Sequence, residues 1–463
     1  MRPRAESIFA AALALAVVAV WAPALDASFQ FDDWAVIVGD ARVQSLSAWW
    51  ASMPGMRALT KATWALDHTL GGGVAGFRAT SVALHALNAV LVFALLRPMA
   101  TGAAAVAALV FALHPVQTES VTYLAARANL LAATGALLAL LAWRRQFDAA
   151  RPWAWQALSL LALAGALAGK ETAAVTPLAM ALMAATACRP LRGAHARALL
   201  APVLLVLASM AAGLAWMPYA GLMRVSLELR SPLENLVAQV SALGELASHL
   251  LLWGRLNADP GAALAVPIGL DAGTLAGMAL LAAGLLAGFA ALRRRPAIAL
   301  GILWTYLWLA PTNSLLARLD LYNDRQWYLA LVGPAWLLGL AMMRLGLLGG
   351  RALVARRAAL PGSLAIAALA IALAAGTVVR NRVHDTELSF WQDVTSKSPD
   401  NPRAANNLGI AHARACDAQG AARAFERAIA LAPREPVPAV NLALLRRGEL
   451  PELSAGCAGR ARP

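Results

Sequence analysis

Apolar runs separated by short polar turns dominate the chain, and their lengths suit helices that cross a bilayer. Such runs occupy 8–25, 77–96, 102–113, 128–143, 153–168, 172–187, 196–216, 273–292, 296–310, 327–347 and 360–379. They predict an all-α polytopic membrane protein of about 11 transmembrane helices, although several runs fall short of the roughly 20 residues of a clean crossing. The stretch 233–253 is also helical in pattern, but Glu234, Gln239, Ser241, Glu245 and His249 recur along it. If it crossed, the Arg293-Arg294-Arg295 turn would land opposite the other basic turns. It is therefore expected to be an interfacial or re-entrant helix.

The turns sort into two kinds. One kind is basic: Arg97, then Arg144, Arg145 and Arg151, then Arg189, Arg192 and Arg197, then Arg293 to Arg295, then Arg344, Arg351, Arg356 and Arg357. Basic turns mark the cytoplasmic side, where Arg2 and Arg4 place the N-terminus. The other kind carries acids, amides and histidines, and an odd number of spans puts the C-terminus on that same outer side. Its largest member, 26–76, is rich in tryptophan (Trp34, Trp49, Trp50, Trp64), with pieces 47–53 and 59–70 expected as helices in the interface. A loop of that size with its own structure is usually functional.

Composition narrows the class. The 463 residues are 60% hydrophobic and 14% charged, with mean hydropathy +0.62. The formal charge of +14 invites a nucleic-acid partner, but the arginines sit in the membrane turns rather than in a basic domain with interleaved aromatics, which argues against that class. Cys188, Cys416 and Cys457 are far apart and make no metal spacing or disulfide framework. From 380 the chain turns soluble. Residues 402–433 resemble a tetratricopeptide repeat, with Leu408, Gly409, Ala421, Phe425, Ala428 and Pro433 on its signature positions and a truncated second copy from Glu435. The expected domains are thus a membrane domain at 1–379, an extracytoplasmic repeat region at 380–450 and a disordered tail at 451–463.

The acid-bearing turns hold the candidate chemistry. Asp32 and Asp33 are adjacent, flanked by Phe31 and Trp34, just after the first span. Carboxylates at a membrane boundary are costly unless they serve a function, although a wet loop also tolerates them. His114, Gln117 and Glu119 follow a short span, where Pro115 could merely end the helix. Lys170-Glu171 forms either a self-neutralised pair or a cation for substrate. Arg325, among Tyr322, Asp324, Trp327 and Tyr328, either anchors a span or holds a phosphate. His85 and Asn88 suit inter-helix hydrogen bonds. A carrier would scatter such groups through its spans at midplane. Gathered at one wet surface beside lipid, they suit an enzyme that takes a lipid-linked substrate.

An early Phe-Asp-Asp-Trp, the His-Pro-Val-Gln-Thr-Glu-Ser-Val turn at 114–121, the Gly-Lys-Glu turn at 169–171 and a C-terminal repeat, in this order, resemble the bacterial relatives of the transmembrane and tetratricopeptide-repeat O-mannosyltransferases, which are GT-C glycosyltransferases. The resemblance implies inverting transfer of a sugar, mannose in that family, from a polyprenyl-phosphate donor to a hydroxyl on a protein or glycan acceptor. The transfer takes place on the outer face of a bacterial inner (plasma) membrane. An acid of the first outer loop, here Asp32 or Asp33, serves as base. The phosphate leaving group needs cations and no general acid, and Lys170, Arg325 and Arg127 are candidates. The second carboxylate either orients the acceptor or binds a divalent cation. The repeat region is a potential protein-docking surface, although it carries fewer repeats than is usual in those relatives. Two other readings stay open: a surface-polysaccharide ligase or polymerase, and a non-catalytic membrane scaffold that presents the repeats.

Overall fold

Backbone amides inside a bilayer must be satisfied within their own segment, so apolar runs of this kind fold as helices. The computed structural model describes residues 3–52, 55–186, 193–215, 217–261, 272–313, 317–318, 320–348 and 355–452. Arg2, Arg189, Arg192, Arg351, Cys188, Cys457 and the tail from 453 lie outside them. The described residues form helices and no strand. Every expected span coincides with helix. Six helices are long and apolar enough to cross a membrane, or up to eight if two bent pairs each count as one span. The pairs are Thr101–Leu113 with Pro115–Val121, bent by 52°, and Asp324–Ala330 with Val332–Arg344, bent by 54°. Pro115, which cannot continue the helix hydrogen bonding, sits at the first break. The remaining expected spans are the shorter apolar helices Glu171–Thr186 and Pro296–Leu309 together with Pro152–Gly169.

The core lies between Gly73–Leu96, Thr101–Leu113, Arg127–Arg145 and Val332–Arg344, around Phe93, Phe111, Trp143, Trp304 and Trp336. Small residues set the spacing. A Cβ on Gly135 would lie 2.7 Å from Ala162 O, and one on Gly339 would lie 2.4 Å from Ala103 O, so larger residues would push these helices apart. One buried network crosses the core. His85 Nδ1 and Asn88 Nδ2 meet the Tyr328 hydroxyl at 2.9 and 3.0 Å, and Thr134 donates to Asn88 at 2.8 Å. These are the inter-helix bonds expected of His85 and Asn88.

The bundle has two unlike ends. At one, Arg97 pairs with Glu6 at 2.7 Å and Arg144 donates to Leu95 O at 2.9 Å. At the other, the segment after the first helix meets the turns near 120, 170, 250 and 320. Leu46–Ser52 and Ala58–Leu70 are helices of that first segment. The stretch expected to be interfacial is Pro232–Ser248, opened by a capping box of Ser231 and Glu234.

The C-terminal region packs on this second end as Glu387–Lys397, Pro402–Arg414, Ala418–Leu431 and Pro436–Arg447. Phe425 is fully buried against Gly409, where a Cβ would sit 2.5 Å from its ring. Cys416, in a left-handed conformation at the end of Pro402–Arg414, is disulfide-bonded. That corrects the expectation of cysteines without a disulfide; spacing in sequence carries no information about a bond made through the fold.

Candidate active site

Asp32 and Asp33 are neighbours with opposite surroundings. Phe31 has φ 47°, a left-handed conformation uncommon for a non-glycine residue. It turns the chain so that Asp33 points inward and Asp32 outward. Asp33 is fully buried, and its carboxyl accepts from Gln30 N at 3.1 Å and Ala125 N at 2.7 Å. Burial pushes its pKa up from 3.8 to about 7. It thus ties the 30–33 turn to the 123–126 turn. Asp32 is exposed and accepts from the Tyr123 hydroxyl at 2.8 Å. Burial holds that hydroxyl well above its ordinary pKa, so it remains a donor. Arg78 braces both turns from below, donating to Ala27 O, to Ser28 O at 2.6 Å and to Thr122 O at 3.3 Å. A short π-helical turn, Trp34–Val38, follows the pair; such turns recur at functional sites.

Behind Tyr123 lies a cluster of cations. The Arg325 guanidinium sits 5.9 Å from the Tyr123 ring centroid. It donates to Glu119 at 2.7 Å and to Asp320 at 3.4 Å, and its backbone N–H donates to Glu119 at 2.9 Å. Arg318 lies beside it. With its amide oxygen turned toward them, Asn323 accepts from Arg318 and Arg325, each at 3.1 Å. Lys170 donates to Asn129 Oδ1 at 2.5 Å. Lys170, Arg318, Arg325, Asn129, Asn323 and Gln326 line a small cavity of about 40 Å³. Three donors in its wall, Arg318 Nη1, Asn129 Nδ2 and Gln326 Nε2, are buried with no hydrogen-bond partner among the described residues. Burial lowers the Lys170 pKa well below its ordinary value and that of Arg318 to about 10. Desolvated cations and unpaired donors together favour a bound anion.

Next to this cavity runs an apolar groove of about 610 Å³ between Thr176–Thr186, Pro232–Ser248, Ala272–Arg294 and Pro296–Leu309. Leu182, Leu243, Leu285, Phe289 and Leu307 line it, and it ends at Asn313, the neighbour of the cavity residue Thr312.

The expected site residues therefore divide. Asp32, Asp33, Glu119, Lys170 and Arg325 come together. His114 is buried away from the cavity, where it accepts from Val116 N at 3.1 Å and meets Leu250 O at 3.0 Å. Gln117 donates to Phe111 O at 3.4 Å and Tyr328 O at 3.3 Å. Arg127 belongs to a closed network with Asp67, at 2.5 Å. Glu171 forms an exposed ion pair with Arg57, at 2.6 Å. Sequence reasoning missed Tyr123, Asn129, Arg318 and Asp320. A signal for the last two existed: Arg318, Asp320, Asn323, Asp324 and Arg325 crowd into one short stretch between apolar runs. Among the described residues no group of three or more His, Cys, Asp or Glu is placed to hold a metal ion.

Among curated proteins, the Protein O-mannosyl-transferase Tmtc2 of Drosophila melanogaster is 32% identical to this chain over 183 residues, which cover 34% of this chain and 19% of that relative. The chain thus matches only a small part of the relative's length. No family model matches it, and no solved structure matches it.

Proposed function

We propose that this protein moves a sugar, mannose in the family it resembles, from a polyprenyl-phosphate carrier to an acceptor hydroxyl, with Asp32 as general base. One observation carries the reading. An exposed carboxylate, Asp32, is linked through Tyr123 to a cavity of desolvated cations, and an apolar groove ends beside that cavity. A lipid phosphate has the same two parts: a long apolar chain and an anionic head.

In this mechanism the polyprenyl chain lies in the groove and the phosphate faces Lys170, Arg318 and Arg325. The acceptor oxygen attacks the anomeric carbon from the face opposite the phosphate while its proton passes to Asp32. The bond from the anomeric carbon to the phosphate oxygen breaks, and polyprenyl phosphate leaves with the electron pair. Configuration inverts. The phosphate diester gains charge as it becomes a monoester, so preorganised cations stabilise the transition state more than the ground state. Tyr123 orients Asp32, and buried Asp33 holds the turn that presents it.

The reaction is assigned to the extracytoplasmic face of a bacterial plasma membrane, with some eleven crossings. The domain at 1–379 carries the chemistry and the repeat region at 380–450 lies on the same side. Two features support this orientation. Arg97 and Arg144 lie at the end of the bundle opposite Asp32, as cytoplasmic arginines do. Cys416 is disulfide-bonded, which suits an oxidising compartment. The test is Asp32→Asn beside Asp33→Asn in whole cells, read by glycan profile. Asp32→Asn is expected to lower transfer by about 10²–10⁴-fold, and an unchanged profile with the protein still in the membrane sinks the reading.

A further inference from the structure

The Asp32 turn is held by residues from the far end of the chain. Ser28 N donates to Asp385 O at 3.1 Å. Gln30 and His384 bond each other twice, once through His384 Nδ1 at 2.8 Å and once through the His384 carbonyl. The Phe31 ring packs edge-on against buried Trp391, centroids 5.2 Å apart. The Arg403 guanidinium lies 5.9 Å from the same ring, and that of Arg414 lies 4.3 Å from the Trp34 ring. Arg414 is itself fixed by Glu387, with both carboxylate oxygens at 2.7 Å. Residues 28, 30, 31 and 34 are thus gripped by 384–414, and Asp32 remains exposed among them.

Arg403 is also linked to the anion cavity, through Asp320 and Arg325. It pairs with Asp259 at 2.8 and 2.6 Å and with Asp320 at 2.5 Å. Asp320 in turn accepts from Arg325. One side chain therefore touches the residue before the base and the carboxylate behind the phosphate-facing arginine. Phe31 carries a left-handed φ, which persists only where surrounding contacts over-determine it. Trp391 and Arg403 supply such contacts, in addition to the stacked Tyr123 ring at 6.4 Å.

We propose that the C-terminal helices are a component of the catalytic centre, with Arg403 and Trp391 as positioning residues that lock the Asp32 turn and set its register against Arg325. This rests on the reading of Asp32 as base. The face of Pro402–Arg414 that bears Arg403 is committed to the chain's own turns, so a partner protein has only the remaining faces of the repeat.

The test uses the full chain in membranes that supply acceptor, with polyprenyl-phosphate mannose as donor. Arg403→Ala and Trp391→Leu are expected to lower kcat by about tenfold or more while the donor KM stays within about twofold, because an interaction that acts on the transition state alone is lost. Arg403→Lys keeps the charge without the bidentate fork and falls between. Arg427→Ala, exposed on another face, leaves turnover unchanged. Hydrogen exchange supplies a readout independent of activity. In Arg403→Ala, amides 28–36 exchange faster while those of 127–145 keep their protection. Wild-type kcat with unchanged protection at 28–36 overturns the inference, as does loss of protection across the whole bundle. If Asp32→Asn retains full turnover, the assignment of the base fails by itself, and exchange at 28–36 still decides whether the C-terminal helices hold the turn.

Discussion

Two arginines near the same end of the bundle, Arg127 and Arg318, look interchangeable in composition and have opposite surroundings. Arg127 is fully buried and spends its donors on Asp67 at 2.5 Å, Phe77 O at 2.6 Å, Ser81 at 3.2 Å and Thr63 at 3.2 Å. Asp67 is completed by Thr80 at 2.7 Å. Arg318 keeps Nη1 buried without a partner among the described residues, in a cavity it shares with Lys170 and Arg325. A buried arginine with every donor used holds helices together, whereas one with a donor unused has it left for a ligand. Hydrogen-bond completeness separates brace from site better than charge or burial does.

The largest effect tests the brace. Arg127→Ala strands the Asp67 carboxylate beside apolar helices and is expected to cost about 3–5 kcal/mol. The expected result is loss of folded protein in the membrane, read by thermal unfolding in detergent. A variant that folds normally but no longer engages donor would reverse the two roles. Next comes Arg318→Ala, which leaves folding intact and is expected to reduce kcat by about 10²–10³-fold, the cost of one preorganised donor at a developing charge. Equal melting temperatures with unequal turnover sharpen the contrast, and loss of folding without a catalytic defect erases it.

The smallest effect concerns Asp33, a buried carboxyl that behaves as a brace within the site. Its pKa rises from 3.8 to about 7 in the folded state. Below both values it is protonated in folded and unfolded chains alike, and its contribution to stability is fully present. As pH climbs between them, the unfolded chain releases the proton and the folded chain keeps it, so that contribution is lost through about pH 7. Asp33→Asn does not titrate. Melting temperatures across that window should therefore fall less for the variant than for the wild type. Parallel curves would mean that Asp33 is ionised in the fold.

Hydropathy made the helices legible because lipid burial is written directly into composition, and charge bias separated the two ends for the same reason. The acidic pair was legible as well, since adjacent carboxylates beside a span are conspicuous. The division of labour between them was not. It depends on Ala125 N, which lies far along the chain from Asp33 yet donates to it at 2.7 Å. Lys170 and Arg325 stood out as cations in polar turns, but Arg318 did not. His114, Gln117 and Arg127 had the right chemistry and the right turns. Their bonds to Leu250 O, Tyr328 O and Asp67 are long-range facts that no local pattern encodes. The close packing of Gly409 on Phe425 was legible in the pattern at 402–433, whereas the use of Arg403 against the first loop was not.

The bond between Gln30 and His384 joins residues 354 positions apart. Translation delivers the first of them early and the second near the end, on the order of half a minute later at common ribosome speeds. Throughout that interval the nascent protein can insert helix after helix, with its Asp32 turn still lacking the partners that fix it. Any chain cut short before the last helices would enter the membrane with its turn unfastened. On the proposed mechanism, full-length synthesis would then be a checkpoint on activity, built into the order in which the ribosome releases the two ends.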